Sequence, residues 1–303
     1  SSNNKISGTI PKRLAVKLSA TGERSVRSGH PWIFSESIEK VNIEGASGDI
    51  AIIFSHTKNK VIGIGLYDPD SPIRIKMLHN GGGASIDSEF FSEKIHVAYA
   101  RRIPLFETNT NSYRLLFGEN DGLPGFIADV YDQVLVVKLY SEIWFPYLDS
   151  ILKVLIEVSG CNCAIIRLSR KLQTSDKCIY RDGETIFGIL TNEVIEFVEH
   201  GVHFSANVIK GHKTGYFLDH RANRKLVGEL SKGKEVLDVF SYAGGFSVHA
   251  LAKGAKEVTS LDISKQALEA ARYNGKLNDY RGSHKTIAGD AFEEMTKMIH
   301  AKR

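Results

Sequence analysis

The chain is poor in the residues that mark secreted, metal-clustered or membrane-embedded proteins. Its 303 residues include 3 cysteines, 2 tryptophans, 3 methionines and 7 prolines. Cys161, Cys163 and Cys178 form neither an even disulfide framework nor a CxxC pair, which argues against a disulfide-stapled fold and a cysteine-held metal site. No metal is expected, and such cysteine usage fits a reducing cytoplasm. No run of 18 apolar residues occurs, so no membrane-spanning helix is expected. The opening Ser1-Ser2-Asn3-Asn4-Lys5 lacks the apolar core of a signal peptide.

What is present suits a soluble globular protein of two or three domains: 42% hydrophobic and 24% charged residues. The net charge of +4 is uneven. Residues 1–80 carry +4, residues 81–200 carry −6 and residues 201–303 carry +6. Two basic ends around an acidic middle suit a polyanionic partner, with an ordinary solvated surface as the alternative.

The most informative stretch runs from Glu235 to Ser247. Val236, Leu237, Val239 and Phe240 form an apolar run too short for a helix, so a strand is expected. Gly244-Gly245 permits a sharp turn and close approach of a ligand. A helix is expected from about Phe246 to Lys253, with Gly254 as its C-terminal stop. Asp238 lies at the end of the strand. A carboxylate there would repel a pyrophosphate but attract a cation, so S-adenosylmethionine (SAM), with its amino group and sulfonium, fits better than NAD. A second strand, Val258–Leu261, ends at Asp262, placed to accept from both ribose hydroxyls. A third, Lys285–Ala288, precedes Gly289-Asp290-Ala291-Phe292. There Asp290 would accept from the adenine amino group, and Ala291-Phe292 would border the ring. One such acid is ordinarily a turn or cap residue; three at successive strand ends, with a glycine pair after the first, indicate one cofactor crevice.

The segment Asp238–Ser247 (DVFSYAGGFS) and the upstream Lys213–Arg221 (KTGYFLDHR) resemble the bacterial class I SAM-dependent 23S rRNA methyltransferases, specifically the large-subunit methyltransferase I family. The resemblance runs from about Leu14 to the end of the sequence. It implies an α/β protein with an N-terminal PUA-like small β-barrel (1–80), a central α+β domain (85–198) and a Rossmann-like class I methyltransferase domain (199–303). SAM is the implied cofactor. The implied cofactor-binding set is Phe217, Asp219, Arg221, Asp238, Phe240, Ser241, Tyr242, Gly244, Gly245, Asp262, Ile263, Asp290 and Ala291. Tyr216 and Phe217 would pack on a cofactor or base, or else belong to a lid on the sheet.

Short strands and turns fill residues 12–80. Leu14–Leu18, Asp49–Phe54, Lys60–Tyr67 and Ile73–Leu78 read as strands, as does the run from Arg24 to Phe34 broken at Gly29. The Gly-His-Pro-Trp-Ile-Phe segment at 29–34 and Gly-x-Gly-x-Tyr-Asp-Pro at 63–69 resemble RNA-binding PUA domains, with Arg24, Arg27 and His30 as candidate phosphate contacts. A glycine-rich linker at 80–85 leads to a helix from Ser88 to about Arg102, whose closing Arg101-Arg102 suits the helix dipole. An antiparallel meander over 114–139, a helix over 145–158, a strand at Ala164–Leu168 and a hairpin over 193–204 follow. Glu119 and Asp121 read as turn acids.

In the resembling family a fourth-strand Asp-Pro-Pro motif and, in cytosine-modifying members, a nucleophilic cysteine lie further on. Neither appears before Arg303, so the sequence reads as the N-terminal portion of a longer protein whose catalytic residue is unassigned. The expected activity is methylation of a large-subunit rRNA base, with cytosine C5 favoured. 23S rRNA is the expected partner and a homodimer the expected assembly. The alternatives are an RNA-binding protein whose SAM-binding domain is inactive, and an NAD-linked oxidoreductase.

Overall fold

The computed structural model describes residues 10–301. They form two compact units. The first runs up to Ile103 and includes Tyr113–Glu193 and Val208–Thr214. The second takes Pro104–Ser112, Val194–Asn207 and the chain from Gly215 onward.

The first unit opens with β1 (Arg13–Leu18), α1 (Ala20–Arg27), β2 (Trp32–Phe34), β3 (Ile38–Val41), β4 (Ile50–Phe54), β5 (Val61–Tyr67) and β6 (Ile73–Asn80). The strands make one mixed sheet in the order β2-β6-β5-β4-β1-β3. Period-2 alternation puts Leu14, Val16 and Leu18 of β1 into a core shared with Val26, Ile33, Ile53 and Ile75. The run from Arg24 to Phe34 is not a strand throughout. Its first four residues close α1, which Ser19 caps by accepting from the Gly22 N–H. Within α1, Arg27 pairs with Glu23 one turn back. Only Trp32–Phe34 is extended, paired with β6.

The remainder of the unit holds α2 (Ser88–Phe106) as far as Ile103, β7 (Ser112–Phe117) from Tyr113, β8 (Phe126–Tyr131), β9 (Val134–Leu139), α3 (Leu148–Ser159), β10 (Cys163–Leu168), α4 (Arg170–Gln173) and β11 (Thr185–Gly188). The sheet order is β11-β10-β9-β8-β7. The expected meander is there, and β10 extends it by pairing parallel to β9. α2 runs beyond Arg102, so Arg101 and Arg102 do not close its last turn. They hold Asp121 instead, at 3.3 and 2.8 Å. The expected 145–158 helix begins at Leu148, because a 3₁₀ stretch containing Pro146 occupies Glu142–Tyr147. Trp144 from that stretch is fully buried, edge-on to Phe126, and donates to the Pro124 carbonyl at 2.8 Å.

The second unit contains the hairpin β12 (Val194–Glu199) and β13 (Val202–Asn207), then α5 (Arg221–Leu230), β14 (Glu235–Val239), α6 (Gly245–Ala252), β15 (Glu257–Asp262), α7 (Lys265–Lys276), β16 (Ser283–Ala288) and α8 (Ala291–His300). The three last strands are parallel and lie in chain order. Asn274 of α7 ties the hairpin down, accepting from the Ser205 N–H and hydroxyl through Oδ1 and donating to the Ala243 carbonyl. All of β14, β15 and β16 therefore point their carboxyl ends the same way, the end at which open α/β sheets bind ligands.

Candidate cofactor site

The register brings the expected acids to one edge. Asp238 pairs with Ser260, one residue short of the end of β14, and Asp262 pairs with Ala288. Asp262 closes the turn after β14 as well as its own. Its Oδ2 accepts from the Tyr242 N–H at 3.0 Å and its Oδ1 from the Ser264 N–H at 2.9 Å. Asp238 Oδ2 accepts from the Ser247 hydroxyl at 2.6 Å and the Ser247 N–H at 3.1 Å. Burial raises the Asp238 carboxyl above its ordinary value. The two Ser247 donors pull it down, and the Asp262 charge adds to the rise. Asp290 caps α8, accepting from the Phe292 and Glu293 N–H groups at 3.0 Å each.

Between Asp238 and α6 the backbone is contorted. Phe240 and Tyr242, both bulky, sit at φ 60° and 49°, and Gly244 follows at 83°. Left-handed conformations at non-glycine residues cost free energy and persist where the surroundings enforce them. The residue before α6, Gly244, has no side chain to cap it, and Asp238 from β14 meets the Ser247 N–H in its first turn instead, with the positive dipole end beside that carboxylate. The glycine pair differs from expectation in its physical cause. A Cβ on Gly244 would lie 2.7 Å from the Ala271 Cβ, and one on Gly245 would lie 2.9 Å from Arg224 Cδ. It is the protein's own helices that approach closely there. Around the strand ends, Phe240, Ile263 and Phe292 are 69%, 76% and 71% exposed. The Ser241 hydroxyl is buried without a hydrogen-bond partner among the described residues.

The segment before α5 meets this turn. Phe217 lies edge-on to Tyr242, with ring centroids 5.6 Å apart. Tyr216 does not face a ligand. It is buried against Phe197 and Phe204 at 5.1 and 5.3 Å, with the Arg224 guanidinium 4.4 Å from its ring centre. Asp219 and His220 are exposed, and Arg221 opens α5 half-buried. Ala291 is buried at the first position of α8.

Two buried networks escaped sequence reasoning. Glu199 of β12 receives Arg224 through Nε and Nη2, both at 2.8 Å, and His249 Nε2 at 3.0 Å. Arg224 Nη1 also donates to the Phe217 carbonyl at 2.8 Å, so the network holds the segment beside the turn. Burial would raise the Glu199 carboxyl, but the Arg224 and His249 bonds outweigh it and bring it down to about 2. Alternation along β12 puts Glu199 on the inward face with Phe197, the one signal that could have marked it. The second network links Asp238, Ser247, Ser260 and His284. Since the carboxylate accepts from Ser247, Ser247 in turn accepts from Ser260 at 2.6 Å, and Ser260 from His284 Nε2 at 2.8 Å.

The candidate phosphate contacts lie in the first unit. Arg24, Arg27 and His30 are all exposed around α1 and the turn after it. Arg24 donates to the Thr21 hydroxyl, Arg27 is held by Glu23, and His30 Nδ1 accepts from the Trp32 N–H. Cys161 and Cys163 are buried; burial raises both thiols, Cys161 to about 11.

Residues 114–299 match the family model of S-adenosylmethionine-dependent methyltransferases, and residues 16–80 match that of a PUA-like domain. The chain belongs to the SAM-dependent methyltransferase family. A ribosomal RNA large subunit methyltransferase from Deinococcus radiodurans is 41% identical over 289 residues, covering 93% of this chain and 70% of that protein. A ribosomal RNA large subunit methyltransferase I from Shewanella frigidimarina is 33% identical over 273 residues, covering 89% and 68%. A solved structure from Streptococcus mutans, described as a SAM-dependent methyltransferase, superposes with a TM-score of 0.77 at 20% identity and covers 95% of this chain. It shares the fold. SAM is thus the cofactor, and the NAD-linked alternative falls away. The arrangement at the strand ends fits SAM: carboxylates for its cationic groups and its diol, and exposed apolar side chains for its adenine.

Proposed function

We propose that this SAM-dependent methyltransferase modifies a base of large-subunit rRNA in the cytoplasm, with cytosine C5 as the target atom. The observation that supports the cofactor half is the gathering of Asp238, Asp262 and Asp290 with exposed Phe240, Ile263 and Phe292 at the ends of three parallel strands. The names of the two relatives and the PUA-like match support the RNA half.

When bound, SAM supplies an electrophilic methyl group. In this reading Asp238 faces its positive amino group, a cation that would offset the burial cost that raises the carboxyl. Asp262 accepts from the ribose hydroxyls while its backbone bonds to Tyr242 and Ser264 keep the carboxylate aimed. Phe240, Ile263, Asp290 and Ala291 border the adenine. Phe217 and Tyr242 pack together beside the turn. Asp219, Arg221 and the backbone of the turn from Ser241 to Gly245 complete the contacts. Methylation at C5 calls for a thiolate that adds at C6. All three cysteines lie in the first unit, and the raised thiols of Cys161 and Cys163 are poor nucleophiles, so none is assigned that role.

The test is transfer of a labelled methyl group from SAM to unmodified large-subunit rRNA, followed by nucleoside digestion. 5-Methylcytidine is the expected product; a different methylated nucleoside would overturn the target, and label on neither RNA nor base would overturn the substrate. Asp262→Ala is expected to lose about 1.5–3 kcal/mol of SAM affinity by calorimetry, the scale of hydrogen bonds to a charged group. Affinity equal to the parent's would remove Asp262 from the site.

A further inference from the structure

Within the first unit a cleft of about 690 Å³ opens where the β2–β6 edge of one sheet meets one end of the other. The volume is that of a small-molecule site. It is separate from every residue assigned to SAM. One wall carries Trp32 of β2 with Ile73 and Lys76 of β6; the other carries Tyr140 and Lys171.

Sequence and topology explain why an aromatic ring and a basic residue meet there. β9 and β10 are parallel, with Leu139 opposite Leu168. Tyr140 follows Leu139 directly, and Ser169-Arg170-Lys171 follow Leu168, so ring and cation leave the sheet at the same end. Tyr140 is 52% exposed, and Lys138 Nζ lies 5.8 Å from its ring centre. Across the cleft, Trp32 is half-buried and its Nε1 donates to Glu119 Oε1 at 3.1 Å. That bond spans from β2 to the turn after β7 and fixes the indole in place.

The polar groups narrow the occupant. Asp68 is neutralised by Lys76 at 2.6 Å and also receives the Ser141 hydroxyl at 2.7 Å. Lys177 neutralises Asp70 at 2.7 Å, and Ser175 donates to Glu142. The carboxylates of Glu119 and Glu142 line the cleft as hydrogen-bond acceptors, and Lys171 adds an exposed ammonium. A run of phosphates would meet these carboxylates unfavourably. A flat heterocycle would not: it can stack on rings, give amino hydrogens to carboxylates, and leave one flanking phosphate for Lys171.

We propose that this cleft of the first unit binds an unpaired, amino-bearing base of a single-stranded RNA segment. The inference rests on RNA being the substrate. It gives the first unit a role in holding a looped or frayed stretch of the RNA, because a paired base hides both its faces and its amino group.

The whole protein supplies its own reporter. Trp32 and Trp144 are its two tryptophans, and Trp144 is fully buried in the core. Titration with a six-nucleotide oligocytidylate should change the indole emission saturably. Trp32→Phe should abolish that change. By anisotropy of a labelled oligomer, Tyr140→Ala should weaken binding about ten-fold, within the range for one stacked base. Lys171→Glu, at an exposed position, provides a second variant and should also weaken it. Oligouridylate, without an amino group, should bind less tightly, and a duplex of equal length should leave the emission unchanged. An unaltered emission at saturating oligocytidylate, equal response to the duplex, or parent-like affinity in both variants would overturn the proposal. Oligomer binding without methyl transfer to rRNA would overturn the substrate reading and leave the cleft standing; methyl transfer with inert cleft variants would do the reverse.

Discussion

Glu199 shows how much one side chain can carry. It lies at the end of a hairpin strand, fully buried, and receives three charge-assisted or polar donors from Arg224 and His249. Removing one partner of such a buried set leaves the other charge uncompensated, at a cost of about 3–5 kcal/mol. Glu199→Ala is therefore expected to lose stability on that scale in urea unfolding, and to release the Phe217 carbonyl's donor as Arg224 reorients. The pH dependence has a definite sign. The carboxyl is lowered in the folded state from its ordinary 4.5 to about 2. A group depressed by folding contributes stability that is present above its unfolded value and is lost as pH falls through the folded one. The parent should thus lose this contribution between about pH 4.5 and pH 2, and the difference in stability between parent and Glu199→Gln should shrink across that window. A difference that stays constant from pH 6 to pH 2 would show that Glu199 does not titrate there. The other ring nitrogen of His249, Nδ1, is buried without a partner among the described residues.

At the scale of elements, the turn between β14 and α6 explains its own glycines. Gly244→Ala meets two obstacles: φ of 83° and a Cβ contact of 2.7 Å with Ala271. Gly233, at φ 71°, has open space where a Cβ would go and so isolates the first. Gly233→Ala should cost about 1 kcal/mol or slightly more from the left-handed backbone alone. Gly244→Ala should cost clearly more, and Ala271→Gly in the same chain should return part of the loss; thermal unfolding of the three variants reads both effects. No recovery in the double variant would mean that Ala271 is not what crowds the turn. This element was legible in advance because everything that defines it is local: an apolar run, two glycines, and acids at strand-to-helix spacing. The same is true of β1, β15 and β16. α1 was misread because Arg24-Ser25-Val26-Arg27 has one apolar residue and no clear period, while its real signals, the Ser19 cap and the Glu23–Arg27 pair, are polar. The networks were invisible for another reason. Glu199 meets Arg224 across 25 residues of sequence and His249 across 50, and Trp32 meets Glu119 across 87; no periodicity links residues that only the folded chain brings together.

Over the whole molecule, the uneven charge bears on how an RNA would be held. The N-terminal 80 residues carry +4 and the residues from 201 on carry +6, against −6 between them. Each cation that meets a phosphate releases a condensed counterion, so affinity falls with salt in proportion to the number of contacts, with a log–log slope near −0.7 per contact for single strands. Arg24, Arg27 and His30 are exposed together around α1, but they are not equivalent. Arg27 is already engaged by Glu23 at 3.0 Å, while among the described residues Arg24 is tied to the neutral Thr21 hydroxyl. A phosphate reaching Arg27 must compete with a carboxylate; one reaching Arg24 need not. If this face grips RNA, Arg24→Ala should lower the steepness of the salt dependence by about one contact's worth. Arg27→Ala should lower it less, and Glu23→Gln, which frees Arg27, should raise affinity at low salt. The measurement is binding of an unmodified rRNA fragment across a salt series for the parent and the three variants. A slope identical in all four would place the phosphate contacts elsewhere, whereas a loss from Arg27→Ala equal to that from Arg24→Ala would show that RNA displaces Glu23 on binding.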